Sequence, residues 1–430
     1  MNSSKDKFDP KLLKRFEFDG NEELVRELEW FLSELKDELK NALKSLNKSR
    51  TKELEVKIKE VQSKIKELMM EQPSPAASQV TKQQEIKAPK RELPIAVKNT
   101  QFDLFRQFTS NHDNDVSNTL EVWDSIPKYF LTPSQVKALR TEQGFAAPVS
   151  WDYVTRDGDS RVNCTVRIHP ALLEDRDKQT LAYFPGSTEE VIEEILKKFL
   201  LDQQLGLHNA ERVETWVKFS LSMIERELAA RGKARNRNEI KHSLEVMALS
   251  RIVWTRGGKS CYQGAIITEL VSVDRSDYKS DGNALWAARL PSLVSASINN
   301  FKYRQFNYIR LMHLADALSR WLYKRLINRY KQASKTDLYT IHFAEIKQSS
   351  ALLQQKDDRG NRKKVLSALA ELKESGALED YQCEEIKTGK AVADVKYTLF
   401  PSDEFIKEQK AANRRASDSA LKAQQEGLLR

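Results

Sequence analysis

Asp357–Leu378 reads DDRGNRKKVLSALAELKESGAL. Val365, Leu366, Leu369 and Leu372 recur at helical spacing, which predicts a helix with one stripe facing a core. Its first turn carries Arg359, Arg362, Lys363 and Lys364, with Asn361 among them. The helix dipole favours acids at that end, not cations. Four cations there imply either solvated surface charge or a surface for a polyanion. LEDYQCEEIKTGKAVADVKYTLFP follows and reads as a hairpin turning at Thr388-Gly389. Upstream lie NYIRLMHLADALSRWLYKRLINRY, a long amphipathic helix, and LYTIHFAEIKQSS, a short strand and helix.

An earlier segment repeats this order. TEEVIEEILKKFLL (188–201) opens a helix with acids at its start, ETWVKFSL is β-like, and SLSMIERELAARG is helical. ARNRNEIKHSLEVMALS is a further helix with Ile240, Leu244 and Met247 on one face, and RIVWTRGGKSCYQGAIITEL is a hairpin around Gly257-Gly258. Helix, strand, helix, helix and a two-stranded wing is the order of a winged helix, and it occurs twice. Ahead of both, VSWDYVTRDGDSRVNCTVRIHP predicts another hairpin at Asp157-Gly158, and NALWAARLPSLVSASIN between the copies supplies extra strands or a connector.

The expected fold class is α+β, mainly helical. It comprises a coiled-coil-like helical region at 1–71, a flexible linker at 72–118, a first winged-helix domain with a hairpin extension at 119–290, a second at 291–402, and a polar tail at 403–430. Leu24, Leu28, Phe31, Leu35 and Leu39, then Leu54, Ile58, Val61 and Ile65, mark the N-terminal seam. PSPAASQVTKQQEIKAPKRELP has a linker's composition.

Of 430 residues, 31% are charged and the net charge is +9, which fits a polyanionic partner. Cys164, Cys261 and Cys383 form no CxxC pair, so neither zinc nor a disulfide framework is expected. No signal-peptide core and no run of about 18 apolar residues occurs. A reduced cytoplasmic protein without membrane contact is expected.

The third helix of each copy is the element that enters a major groove, N-terminal end first. In the second copy this selects Arg359, Asn361, Arg362, Lys363 and Lys364; in the first, Lys233, Arg235, Asn236, Arg237, Asn238 and Lys241. Arginine pairs bidentately with guanine and asparagine with adenine, while lysine meets phosphates. Wing cations Arg256 and Lys259, and Lys387 and Lys390, are placed to follow the backbone. Basic helix starts at the same position in both copies favour DNA over solvated charge.

No enzyme is supported. GGKS at 257–260 lacks the upstream glycine of a phosphate-binding loop, since that position is Val253, and strands flank it. The six histidines are scattered, no nucleophile–base pair is readable, and EEVIEEIL and EDYQCEEI look like surface. No catalytic residue, metal ligand or cofactor is expected. FKYRQFNYIR interleaves aromatics with cations, but at a helix start it reads as core plus surface charge.

Two such copies joined by FNYIRLMHLADALSRWLYKRLINRY, with NTLEVWDSIPKYF opening the body, resemble the theta-type, iteron-binding plasmid replication initiators. The resemblance covers about 119–400. It implies binding of origin repeats in duplex DNA, opening of an adjacent AT-rich segment, and recruitment of host replication proteins such as the helicase, without catalysis. It also implies autoregulation by a homodimer. By position, base reading would fall on Arg359, Asn361, Arg362 and Lys363, and dimer and backbone contacts on Arg235 to Lys241. The N-terminal helical region departs from the family's common core. The alternatives are a winged-helix repressor or partition factor and, from another class, a protein-binding adaptor.

Overall fold

The computed structural model describes residues 54–63, 102–106, 116–157, 160–175, 177–202, 205–271, 285–425 and 427. The chain forms two compact units, Met1–Arg91 and Glu92–Arg430. In the first, residues 54–63 are helical, and Leu54, Ile58 and Val61 are less exposed than their neighbours, the spacing expected of the seam. The rest of the expected coiled coil and most of the expected linker lie outside the described residues. The linker's described residues depart from the expectation, 102–106 being a helix with Phe102, Leu104 and Phe105 buried and 116–118 part of a strand.

The second unit opens with a short helix at 102–106. Strand β1 (Val116–Leu120), helices α1 (Glu121–Ser125) and α2 (Pro133–Leu139), and strands β2 (Val149–Asp157), β3 (Ser160–His169), β4 (Ala171–Glu174) and β5 (Thr180–Tyr183) follow. The first repeated module then runs α3 (Ser187–Leu200), β6 (Gly206–Asn209), β7 (Glu214–Phe219), α4 (Leu221–Ala230), α5 (Arg237–Leu249), β8 (Arg251–Arg256) and β9 (Lys259–Gly264). Next come β10 (Glu269–Val271), β11 (Trp286–Arg289), α6 (Ser292–Asn299), β12 (Tyr303–Asn307) and α7 (Tyr308–His313). The second module is α8 (Ala317–Arg329), β13 (Tyr339–His342), α9 (Phe343–Ser350), α10 (Asp358–Glu374), β14 (Leu378–Thr388) and β15 (Ala391–Pro401), and α11 (Asp403–Gln425) ends the unit. The result is a mixed α and β fold with small antiparallel sheets.

Local chemistry explains these bounds. Thr132 and Gln135 form a capping box on α2, with Pro133 at the first helical position. Asn236 and Glu239 form another on α5. Gly257 and Gly258 both adopt positive φ (56° and 76°), the geometry a two-residue hairpin needs between Arg256 and Lys259. Gly389 does the same (64°) between β14 and β15.

The two modules differ in their sheets. In the second, β13 pairs with β15 and β15 with β14, so the hairpin closes on the module's own strand. In the first, β8–β9 instead extends the β2–β3 hairpin, in the order β2-β3-β8-β9. Strand β7 lies between β6 and β11 in the order β10-β11-β7-β6. The expected order of elements is present; the self-contained sheet is not. The added strands compete successfully: Val166 and Ile168 of β3 meet Trp254 and Ile252 across the ladder, and Trp286 and Ala288 of β11 meet Phe219 and Val217, all buried.

Three sequence expectations are corrected. FNYIRLMHLADALSRWLYKRLINRY is not one helix. Tyr303–Asn307 pairs with β1, the Asn307 side chain accepts from Arg310 N to start α7, and Asp316 accepts from Leu318 N to start α8. The polar tail expected from 403, helical at first and then frayed, is helical through 403–425 and buries Phe405, Ile406 and Ala412. Arg304 donates to Gln409 and Arg310 pairs with Glu408, which docks that helix. Leu366 is 38% exposed, and Ala368 takes the core position expected of it.

Candidate nucleic-acid interface

The start of α10 carries cations without conflict because acids precede them. Asp357 Oδ1 caps the helix by accepting from Gly360 N at 2.6 Å. Asp358 accepts from Lys347 Nζ at 2.5 Å, and this bond holds its carboxyl below its usual range. The dipole is thereby satisfied from within the chain. Arg359 and Lys363, one turn apart, are exposed and have no ion-pair or hydrogen-bond partner among the described residues. The Arg362 guanidinium lies 6.0 Å from the Phe343 ring centroid, which orients it without neutralising it.

Two residues expected at this surface are turned inward. Asn361 is fully buried: its amide donates to Gln355 O and its carbonyl oxygen accepts from Gln355 N, both at 3.0 Å. It staples the preceding loop to the helix and cannot read a base. Lys364 donates to Leu352 O at 3.2 Å. Sequence reasoning missed Leu366 and Ser367, exposed one turn beyond Arg362 and Lys363. Leu366 lies outside the buried stripe of Val365, Ala368, Leu369 and Leu372 and on the exposed side with Arg362.

The first module's third helix is more occupied. Arg237 Nε lies 2.9 Å from Glu225, Lys241 lies 3.6 Å from Glu245, and Lys233 donates to Leu314 O at 3.0 Å. Asn236 is spent on its capping box. Arg235 stays exposed, bonded to Ala234 O, and Asn238 is exposed without a partner among the described residues. Of the wing residues, Lys259 and Lys390 project at hairpin turns, Lys387 lies 3.1 Å from Glu385, and Arg256 is half-buried opposite Cys164. The third helices flank one cleft of about 760 Å³, lined by His242 and Val246 from α5 and by Lys364 from α10.

Within the apolar core that the two modules share, a buried ion network that the sequence concealed also connects them. EEVIEEIL, expected at the surface, is almost wholly buried in α3. Arg320 of α8 meets Glu190 at 2.7 Å, Lys324 meets Glu194 at 2.6 Å, and Lys197 bridges Asp124 and Glu194 at 2.6 and 2.7 Å. Glu193 accepts from Trp123 Nε1 and, at 2.7 Å, from Tyr129 Oη, with Lys128 at 3.9 Å. Burial alone would raise the Asp124 and Glu190 carboxyls. The surrounding cations together outweigh it, Lys197 foremost at Asp124 and Arg320 foremost at Glu190, with Lys324 and Lys128 adding to both, and hold both carboxyls below their ordinary range. Asp124, Glu193 and Glu194 cluster tightly enough to suggest a cation site, but lysine ammonium groups supply the positive charge there.

No protein-family model matches the chain. No curated protein matches it. Among solved structures, a Pi initiator protein in complex with iteron DNA is similar at 13% identity and a TM-score of 0.36, over 50% of this chain and 90% of that one. Among the described residues, no helix is long and apolar enough to cross a membrane.

Proposed function

We propose that this protein is a non-catalytic, sequence-specific duplex-DNA-binding replication initiator, with both modules acting as winged helices. Arg359 and Lys363 carry the proposal. They are exposed, one turn apart at the start of the second module's third helix and without ion-pair or hydrogen-bond partners among the described residues, while Lys364 beside them is engaged within the fold. A third helix presents its N-terminal turns to base edges. Arg359 and Arg362 would meet guanine edges, Lys363 a phosphate, and Leu366 a thymine methyl. Arg235 and Asn238 of α5 would add a second, weaker set of contacts. Binding at origin repeats, opening of the adjacent duplex and recruitment of host replication proteins follow from the initiator resemblance of 119–400.

The test is binding of the full chain to duplexes from either side of its gene, at two salt concentrations. Tight binding to direct repeats that survives the higher salt supports an initiator. Binding to a palindrome without strand opening would make it a repressor. Weak, uniform binding lost with salt would leave the adaptor alternative.

A further inference from the structure

The β2-β3-β8-β9 sheet turns one face inward and the other to solvent. Cys164, Val166 and Ile168 of β3 are buried, so Arg161, Arg167 and His169 alternate onto the opposite face. His169 stands directly across from Arg251 of β8. Arg161, Arg167 and Arg251 are all exposed. Arg161 and Arg167 have no ion-pair or hydrogen-bond partner among the described residues, and Arg251 gives one bond, to Gln263 at 2.8 Å. Asp152 is the acid on this face among the described residues, and it accepts from Thr165 at 2.6 Å. Partial burial, then Arg167 and Arg251, lower the His169 imidazole below its ordinary value, consistent with a positive local potential.

We infer that this sheet face binds the phosphate backbone of duplex DNA flanking the site read by the third helices, continuing the path begun at Lys259. The inference rests on the function proposed above and adds a surface to it. The face belongs to the same sheet as the β8–β9 hairpin, so a duplex following that wing reaches the arginines next. Arg161 and Arg167 are separated by about 20 Å along one strand, at ~3.4 Å per residue. That matches roughly six base pairs of duplex axis. Trp151, Tyr153 and Trp254 all alternate onto the inner face, so the outer one offers single strands no stacking platform. Cations without aromatics suit a duplex backbone and carry no base preference.

The experiment compares the full-length wild type with R161Q/R167Q/R251Q and with R161K/R167K/R251K. Affinity is measured against salt on a repeat-containing duplex and on a scrambled one. The glutamine variant is expected to weaken both duplexes by the same factor and to lower the salt slope by about 0.9 for each phosphate no longer neutralised. The lysine variant keeps most of the slope. An unchanged slope in the glutamine variant, or a weakening confined to the repeat duplex, overturns the inference and leaves the proposed function standing. A wild type that binds neither duplex overturns both.

Discussion

The two modules share an order of local elements, apart from the additional strand β6 in the first, and resolve it differently. The second closes its own three-stranded sheet and leaves Arg359 and Lys363 without partners among the described residues. The first gives its hairpin to β3 and its strand to β11, and ties Arg237, Lys241 and Lys233 into the fold. Helix order is a local property, whereas strand partnership depends on what else the chain supplies. A third helix has cations to offer a ligand only where the surrounding fold has not already used them.

The largest expected effect is at the joint between the modules. Arg320→Met leaves Glu190 buried without its main partner, and about 3–5 kcal/mol of stability should be lost in urea denaturation. Adding Glu190→Leu should restore most of it, since an apolar pair of similar volume often does as well as an ion pair. If Arg320→Met were neutral, the modules would be joined by apolar packing alone. Acid tests the same joint. Asp124 and Glu190 titrate below their unfolded values, so their stabilisation is present above about pH 4.5 and is lost as pH falls further. The melting temperature should drop on acidification, and Glu190→Gln should flatten that dependence.

Next in size is Asn361→Ala. It strands both Gln355 backbone groups and should cost about 1–3 kcal/mol of stability, leaving base preference intact in the folded protein. A change in preferred base without destabilisation would return Asn361 to the DNA. Arg359→Ala and Arg362→Ala should instead leave stability unchanged and relax discrimination at single positions by about 1–3 kcal/mol, read from competition binding with single-base variants. Smallest is Arg237→Ala in the first module. Its pair with Glu225 is largely exposed, so both stability and affinity should move by less than about 1 kcal/mol. An effect as large as that of Arg359→Ala would make the modules equal readers.

Much of this was legible in the residues. The Gly257-Gly258 turn, the Ile240–Leu244–Met247 face and most of the order of both modules follow from the residues and their spacing, and the second hairpin turns at Gly389-Lys390, one residue on from the Thr388-Gly389 expected. The break within 301–330 was also signalled, by Asn307 and Asp316 at cap positions, but the continuous apolar period obscured it. The candidate interface was legible only as a pool of cations. Asn361 and Arg359 differ by two positions, about 200° around a helix, and only the loop at Gln355 decides which of them faces in.

The sequence by itself determined what depends on neighbours within one turn: helix starts at Asp357 and Asn236, hairpin turns at Gly257-Gly258 and Gly389, and which stripe of each helix is apolar. Tertiary structure decided which strands share a sheet, that EEVIEEIL is buried, and which cations stay free. Arg320 and Glu190 are 130 residues apart, and the pair exists only once α3 and α8 are packed. Neither charge carries a local sign of its partner, because burial and ion pairing are properties of the folded environment rather than of the residue.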